Sequence, residues 1–67
     1  MPTKTISWTP TRIKALRQFC RLSIRDFAAL LEVSKTTIVD WEGDTKAPQY
    51  VNLAKLDTLA QERHFTP

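Results

Sequence analysis

Cysteine, histidine and glycine occur once each in these 67 residues, and a long apolar run does not occur at all. Cys20 alone cannot close an internal disulfide, and together with His64 it cannot fill the ligand shell of a structural zinc. The same shortage argues against an enzyme, because one thiol and one imidazole far apart in the chain do not make a nucleophile, a base and an orienting group. No stretch approaches the roughly 18 apolar residues of a membrane span, and residues 1–10 lack the apolar segment of a secretory signal. The expectation is a cytoplasmic, non-enzymatic chain without membrane contact, metal, cofactor or small-molecule ligand. With Pro48, the single glycine, Gly43, brackets the one obvious loop, and no repeat or low-complexity segment is present.

What is present is ordinary globular composition, 42% hydrophobic and 25% charged. A chain of this length has room for one domain and buries only about 60% of the surface its unfolded form exposes, so its core must be economical. Ten Lys and Arg against seven Asp and Glu leave a net charge of +3. That balance suits a polyanionic partner without requiring one. The charges are uneven in sequence: Arg12, Lys14, Arg17, Arg21 and Arg25 fall in the first half, whereas Asp40, Glu42 and Asp44 cluster mid-chain.

The pattern predicts an all-α fold, a compact bundle of four helices with a five-helix arrangement as the alternative. Residues 1–8 form an extended or frayed arm in which Trp8 can pack onto the domain, residues 9–62 form the domain, and residues 63–67 are a short tail. The first helix starts with Thr9 as N-cap and Pro10 at the first helical position, where its missing N–H costs nothing. It runs to about Cys20 with Ile13, Leu16 and Cys20 on one stripe and Phe19 at the border. Ser23 and Asp26 have the spacing of a capping box and open a short second helix with Phe27, Ala28 and Leu31 on its inner face. Ser34 is a second start signal, so two helices meet across a three-residue turn. The third helix buries Ile38 and Trp41 and turns Lys35, Thr36, Val39 and Asp40 away from the core. Gly43 is expected to stop it by taking left-handed geometry. A fourth helix, from about residue 49 or 50 to 62, carries Leu53, Leu56 and Ala60 with Leu59 and Tyr50 beside them.

Over residues 10–60 the chain resembles the phage-repressor and Cro-like helix-turn-helix family, also called the XRE type. The apolar places of that family's two-helix unit fall on Phe27, Leu31, Val33, Ile38 and Trp41, and its small residue at the helix crossing falls on Ala28. Arg17 and Glu42 hold the places of an arginine and a glutamate that join the first helix to the third, with part of the guanidinium left for a phosphate. The chain departs from the family twice. Ile24 stands where a phosphate-clamping glutamine is usual, and Glu32 stands in the turn where glycine is favoured because the backbone there takes positive φ.

The resemblance implies a lambda-repressor-like domain that binds double-stranded DNA by laying residues 34–42 in a major groove, most simply as a transcriptional repressor. By position, Lys35, Thr36, Val39 and Asp40 would read base edges: Lys35 at guanine, Thr36 through its hydroxyl or methyl, Val39 at a thymine methyl, Asp40 at cytosine N4. Arg25, Thr37, Thr45 and Lys46 would hold phosphates, with Thr37 alternatively capping its own helix. One short helix covers few base pairs, so a homodimer on a palindromic operator is expected, joined through the fourth helix and tail by Leu59, His64 and Phe65. A protein-interaction module on the same fold, antitoxin-like or an adaptor, is the alternative reading.

Overall fold

A computed structural model describes residues 8–65, and these form four helices in the expected order. They are α1 (Pro10–Phe19), α2 (Ile24–Leu31), α3 (Lys35–Glu42) and α4 (Tyr50–Glu62). Local chemistry sets three of the four starts. The Thr9 hydroxyl accepts from the Arg12 N–H at 3.2 Å, Ser23 from Asp26 at 3.0 Å and Ser34 from Thr37 at 3.2 Å. Each cap satisfies a donor that the helix itself cannot pair. Among the described residues no helix is long and apolar enough to cross a membrane.

The apolar stripes converge on one core of Ile13, Leu16, Phe27, Ala28, Leu31, Ile38, Trp41, Leu56, Leu59 and Ala60. Within it α2 packs on α3 and α4, and α1 packs on α3. Cys20 and Leu53 are half-buried at its margin. Tyr50 does not join it. At 89% exposure it faces solvent, because six residues of helix place it about 120° around α4 from the fully buried Leu56.

The helix ends hold the main surprise for so glycine-poor a chain. Arg21, Glu32, Asp44 and His64 all take left-handed backbone, with φ between 57° and 61°. At each end the N–H of that residue reaches a carbonyl three back, and the next N–H reaches one five back. The second bonds are Leu22 to Arg17 at 3.1 Å, Val33 to Ala28 at 2.9 Å, Thr45 to Asp40 at 2.9 Å and Phe65 to Ala60 at 2.8 Å. This double bond is the Schellman closure, usually built with glycine. In three of the four cases the following residue, Leu22, Val33 or Phe65, is apolar and packs against the core. Tertiary burial of that residue holds the strained one before it in place.

Gly43 therefore does not stop α3 by left-handed geometry. It keeps φ at −89° and its N–H still bonds the Val39 carbonyl at 2.9 Å, so the reversal falls one residue later, on Asp44. Its dihedrals do not require glycine, since Cys20 and Arg63 hold the equivalent place before Arg21 and His64, and a Cβ at 43, 3.1 Å from the Val39 carbonyl oxygen, would ask for a shift of a few tenths of an ångström.

The two ends of the described chain meet. Trp8 stacks on Phe65, ring centroids 6.4 Å apart and 12° from parallel, while Phe19 meets Phe65 at 5.3 Å. The Trp8 Nε1–H donates to Asp57 Oδ1 at 2.7 Å. Trp8 is thus anchored to the domain, whereas the rest of the expected arm, residues 1–7, and residues 66 and 67 of the tail lie outside the described residues. The three residues expected at a dimer surface differ in their exposure within the single chain. Leu59 is 5% exposed within its own core and Phe65 is occupied by Trp8 and Phe19, leaving only His64 of the three turned to solvent.

Candidate nucleic-acid interface

Helices α2 and α3 are joined by Glu32, Val33 and Ser34 alone, and the joint is held from three directions. Glu32 has the positive φ that its place in the turn predicts, and Val33 packs on the core. Lys55 reaches across from α4, donating to the Leu31 carbonyl at 3.0 Å with its Nζ 3.6 Å from Glu32 Oε1. That lysine neutralises the negative end of the α2 dipole, where a cation is favoured. Nothing in the local sequence around residue 55 signals this contact, because its partner lies 24 positions away.

The far end of α3 is tied to α1 by the expected ion pair. Arg17 Nε donates to Glu42 Oε2 at 2.7 Å and Nη2 donates to Oε1 at 3.1 Å, a bidentate fork with the two side chains 15% and 10% exposed. The hydrogen bond to Glu42, opposed by burial and helped by Coulombic attraction, pushes the Arg17 guanidinium above the ordinary arginine range. Its remaining terminal nitrogen, Nη1, donates to the Leu22 carbonyl at 3.1 Å, so the same guanidinium also ties down the α1–α2 corner, with three of its five N–H groups engaged.

Between these ties α3 presents one outward face. Val39 lies near its centre at 52% exposure, with Lys35 and Thr36 exposed alongside. Residues advance about 100° per step, so Ile38 and Trp41 point the other way and anchor the helix. Asp40 lies half-buried at one edge of the face, and Thr37, also half-buried, lies about 160° from Val39 on the side of Trp41. The Thr37 hydroxyl is engaged with Ser34 Oγ at 2.8 Å, which makes it part of the cap rather than an open phosphate contact. Asp40 faces the loop after α3, with Lys46 Nζ 3.9 Å from its Oδ2.

Of the residues expected to hold phosphates, the three besides Thr37 are exposed. Arg25 is exposed in the first turn of α2, next to the half-buried Ile24, and Thr45 and Lys46 are exposed in the loop that follows α3. A feature that pattern reading missed lies elsewhere. An open groove between α2 and α4 is lined by Leu30, Val51, Ala54, Leu59, Lys55 and Glu62, with Leu30 and Val51 about half exposed. Its signal was Leu30, an apolar residue one place before the buried Leu31 and off the inner stripe of α2.

No protein-family model, curated protein or solved structure matches this chain.

Proposed function

We propose that this chain is a sequence-specific double-stranded DNA-binding regulator of transcription, most simply a repressor, that lays α3 in the major groove. The observation that carries the reading is the α3 face itself. A short helix is fixed at both ends, by the Glu32–Ser34 joint and by Arg17 on Glu42, while Lys35, Thr36 and Val39 stand exposed on one side. A major groove admits one helix and offers a different donor, acceptor and methyl pattern for each base pair. A fixed, outward face with an ammonium, a hydroxyl and a branched methyl group is suited to that code. Lys35 would donate to guanine O6 and N7, Thr36 would offer its hydroxyl or methyl, and Val39 would meet a thymine methyl.

Arg25, Thr45 and Lys46 would supply phosphate contacts, and the first N–H groups of α2 would add a further one. Two copies on a palindromic site give the readout that one eight-residue helix is too short to give alone. Action in the cytoplasm, without cofactor or small-molecule control, belongs to the same reading.

The test is the salt dependence of binding to duplex DNA. Phosphate contacts release counterions, so log K should fall linearly with log salt, with a slope of about −0.9 for each phosphate neutralised. The groove between α2 and α4, apolar at Leu30, Val51 and Ala54, favours a second reading as a protein-interaction module. Binding through that groove would be nearly insensitive to salt and would be lost on Val51→Glu.

A further inference from the structure

Asp40 stands at one limit of the α3 face, one turn after Thr36 on the same stripe, with its side chain less exposed than its neighbours on that face. It is one residue, about 100° of helix, beyond Val39 and turned toward the loop. Its side chain is 22% exposed, whereas the Lys46 side chain opposite is 74% exposed. Two features of the same residue converge on Lys46. The Asp40 carbonyl accepts the N–H groups of Thr45 at 2.9 Å and Lys46 at 3.3 Å, which fixes the loop carrying the lysine. The Asp40 carboxylate then lies 3.9 Å from the Lys46 ammonium. A carboxylate that reads cytosine must reach into the groove past flanking phosphates, which repel it. One held at the edge beside a lysine has a partner without doing so.

We propose that Asp40 competes with DNA phosphate for Lys46 and reads no base, so that it sets the strength of binding and not the preferred sequence. This inference rests on the DNA-binding reading of α3. In the free protein Lys46 is shared with Asp40. On the duplex the ammonium moves to a phosphate oxygen, and the lost ion pair with Asp40 subtracts from the affinity for every sequence alike. The main-chain bonds from Thr45 and Lys46 to Asp40 survive any side-chain change at position 40, so the loop stays in register.

The experiment compares wild type, Asp40→Asn, Lys46→Ala and the double variant on duplexes carrying each base at each position of the preferred site, at one fixed salt concentration. Asparagine keeps the size of aspartate and removes its charge. The expected result is that Asp40→Asn tightens binding to all duplexes by the same factor, up to about fivefold, the equilibrium worth of one exposed ion pair. The gain should vanish in the Lys46→Ala background. A change of preferred base at one position, above all from cytosine to adenine, would mean that residue 40 reads a base and would overturn the inference with the DNA-binding reading intact. A gain of the same size without Lys46 would also overturn it, since the aspartate would then act on DNA directly. If wild type bound no duplex at any salt concentration, the DNA-binding reading would fall and this inference with it.

Discussion

Arg21, Glu32, Asp44 and His64 each hold left-handed backbone while carrying a Cβ, a conformation that costs about 1–2 kcal/mol for most residues. Glycine removes that cost but is more costly to order, by roughly 0.5–1 kcal/mol. The net gain expected from Arg21→Gly is therefore about 0.5–1 kcal/mol, read as a higher urea midpoint. Asp44→Gly should gain least, because aspartate tolerates this region through local hydrogen bonding. Glu32→Gly should fall between them, losing a weak surface pair with Lys55 as it relieves the strain. Equal or negative effects at all three positions would show that the strain is absorbed elsewhere. At this scale the sequence was partly legible. Glu32 announced its φ by standing where glycine is usual in a turn of this kind. Asp44 did not, because Gly43 sits beside it and attracted the reversal to itself. The deciding fact was the Asp40 to Thr45 bond, a property of where the chain must go next.

Among elements, α1 and α3 depend on one ion pair. With Arg17 and Glu42 both largely buried and bonded through two parallel contacts, Glu42→Ala strands a guanidinium against the core. It should cost about 3 kcal/mol in thermal or chemical unfolding, whereas Lys46→Ala, at an exposed pair, should cost almost nothing. Because the folded state raises the Arg17 pKa, the stability this group contributes is fully present below the ordinary arginine range and is lost only as pH rises above it. No loss traceable to Arg17 is therefore expected between neutral and moderately alkaline pH. The helices themselves were readable from caps and stripes: Thr9, Ser23 and Ser34 start three of them, and every core residue predicted on α1 to α3 is buried except Cys20, which is half-buried. What pattern could not supply was the meeting of distant elements. Lys55 on the Leu31 carbonyl and Phe65 between Trp8 and Phe19 depend on how α4 lies, and no local spacing encodes that. Phe65→Ala should accordingly destabilise the fold by about 1–2 kcal/mol, through lost burial and two ring contacts, without altering DNA binding.

For the whole molecule, a chain of net charge +3 exposes Arg25 at the start of α2, Lys35 on α3 and Lys46 in the loop after it. The proposed function separates these groups by role. Lys35→Ala should change which sequence is preferred, whereas Lys46→Ala should weaken all sequences alike and make the salt slope shallower by about 0.9. Neither effect involves Leu59, which is buried in its own core, or Phe65, which packs on Trp8 and Phe19. The candidate site was legible in the sequence as a set of residues, and its face was legible as a helical repeat. The coupling of Asp40 to Lys46 was not, since six positions bridged by a left-handed turn look like no regular spacing. The most direct measurement of the central claim is selection of bound sequences from a random duplex pool at a stated salt concentration. The account predicts enrichment of a palindrome whose half-sites lie about one helical turn, roughly 34–36 Å, apart. A pool recovered without enrichment by a folded protein would contradict it.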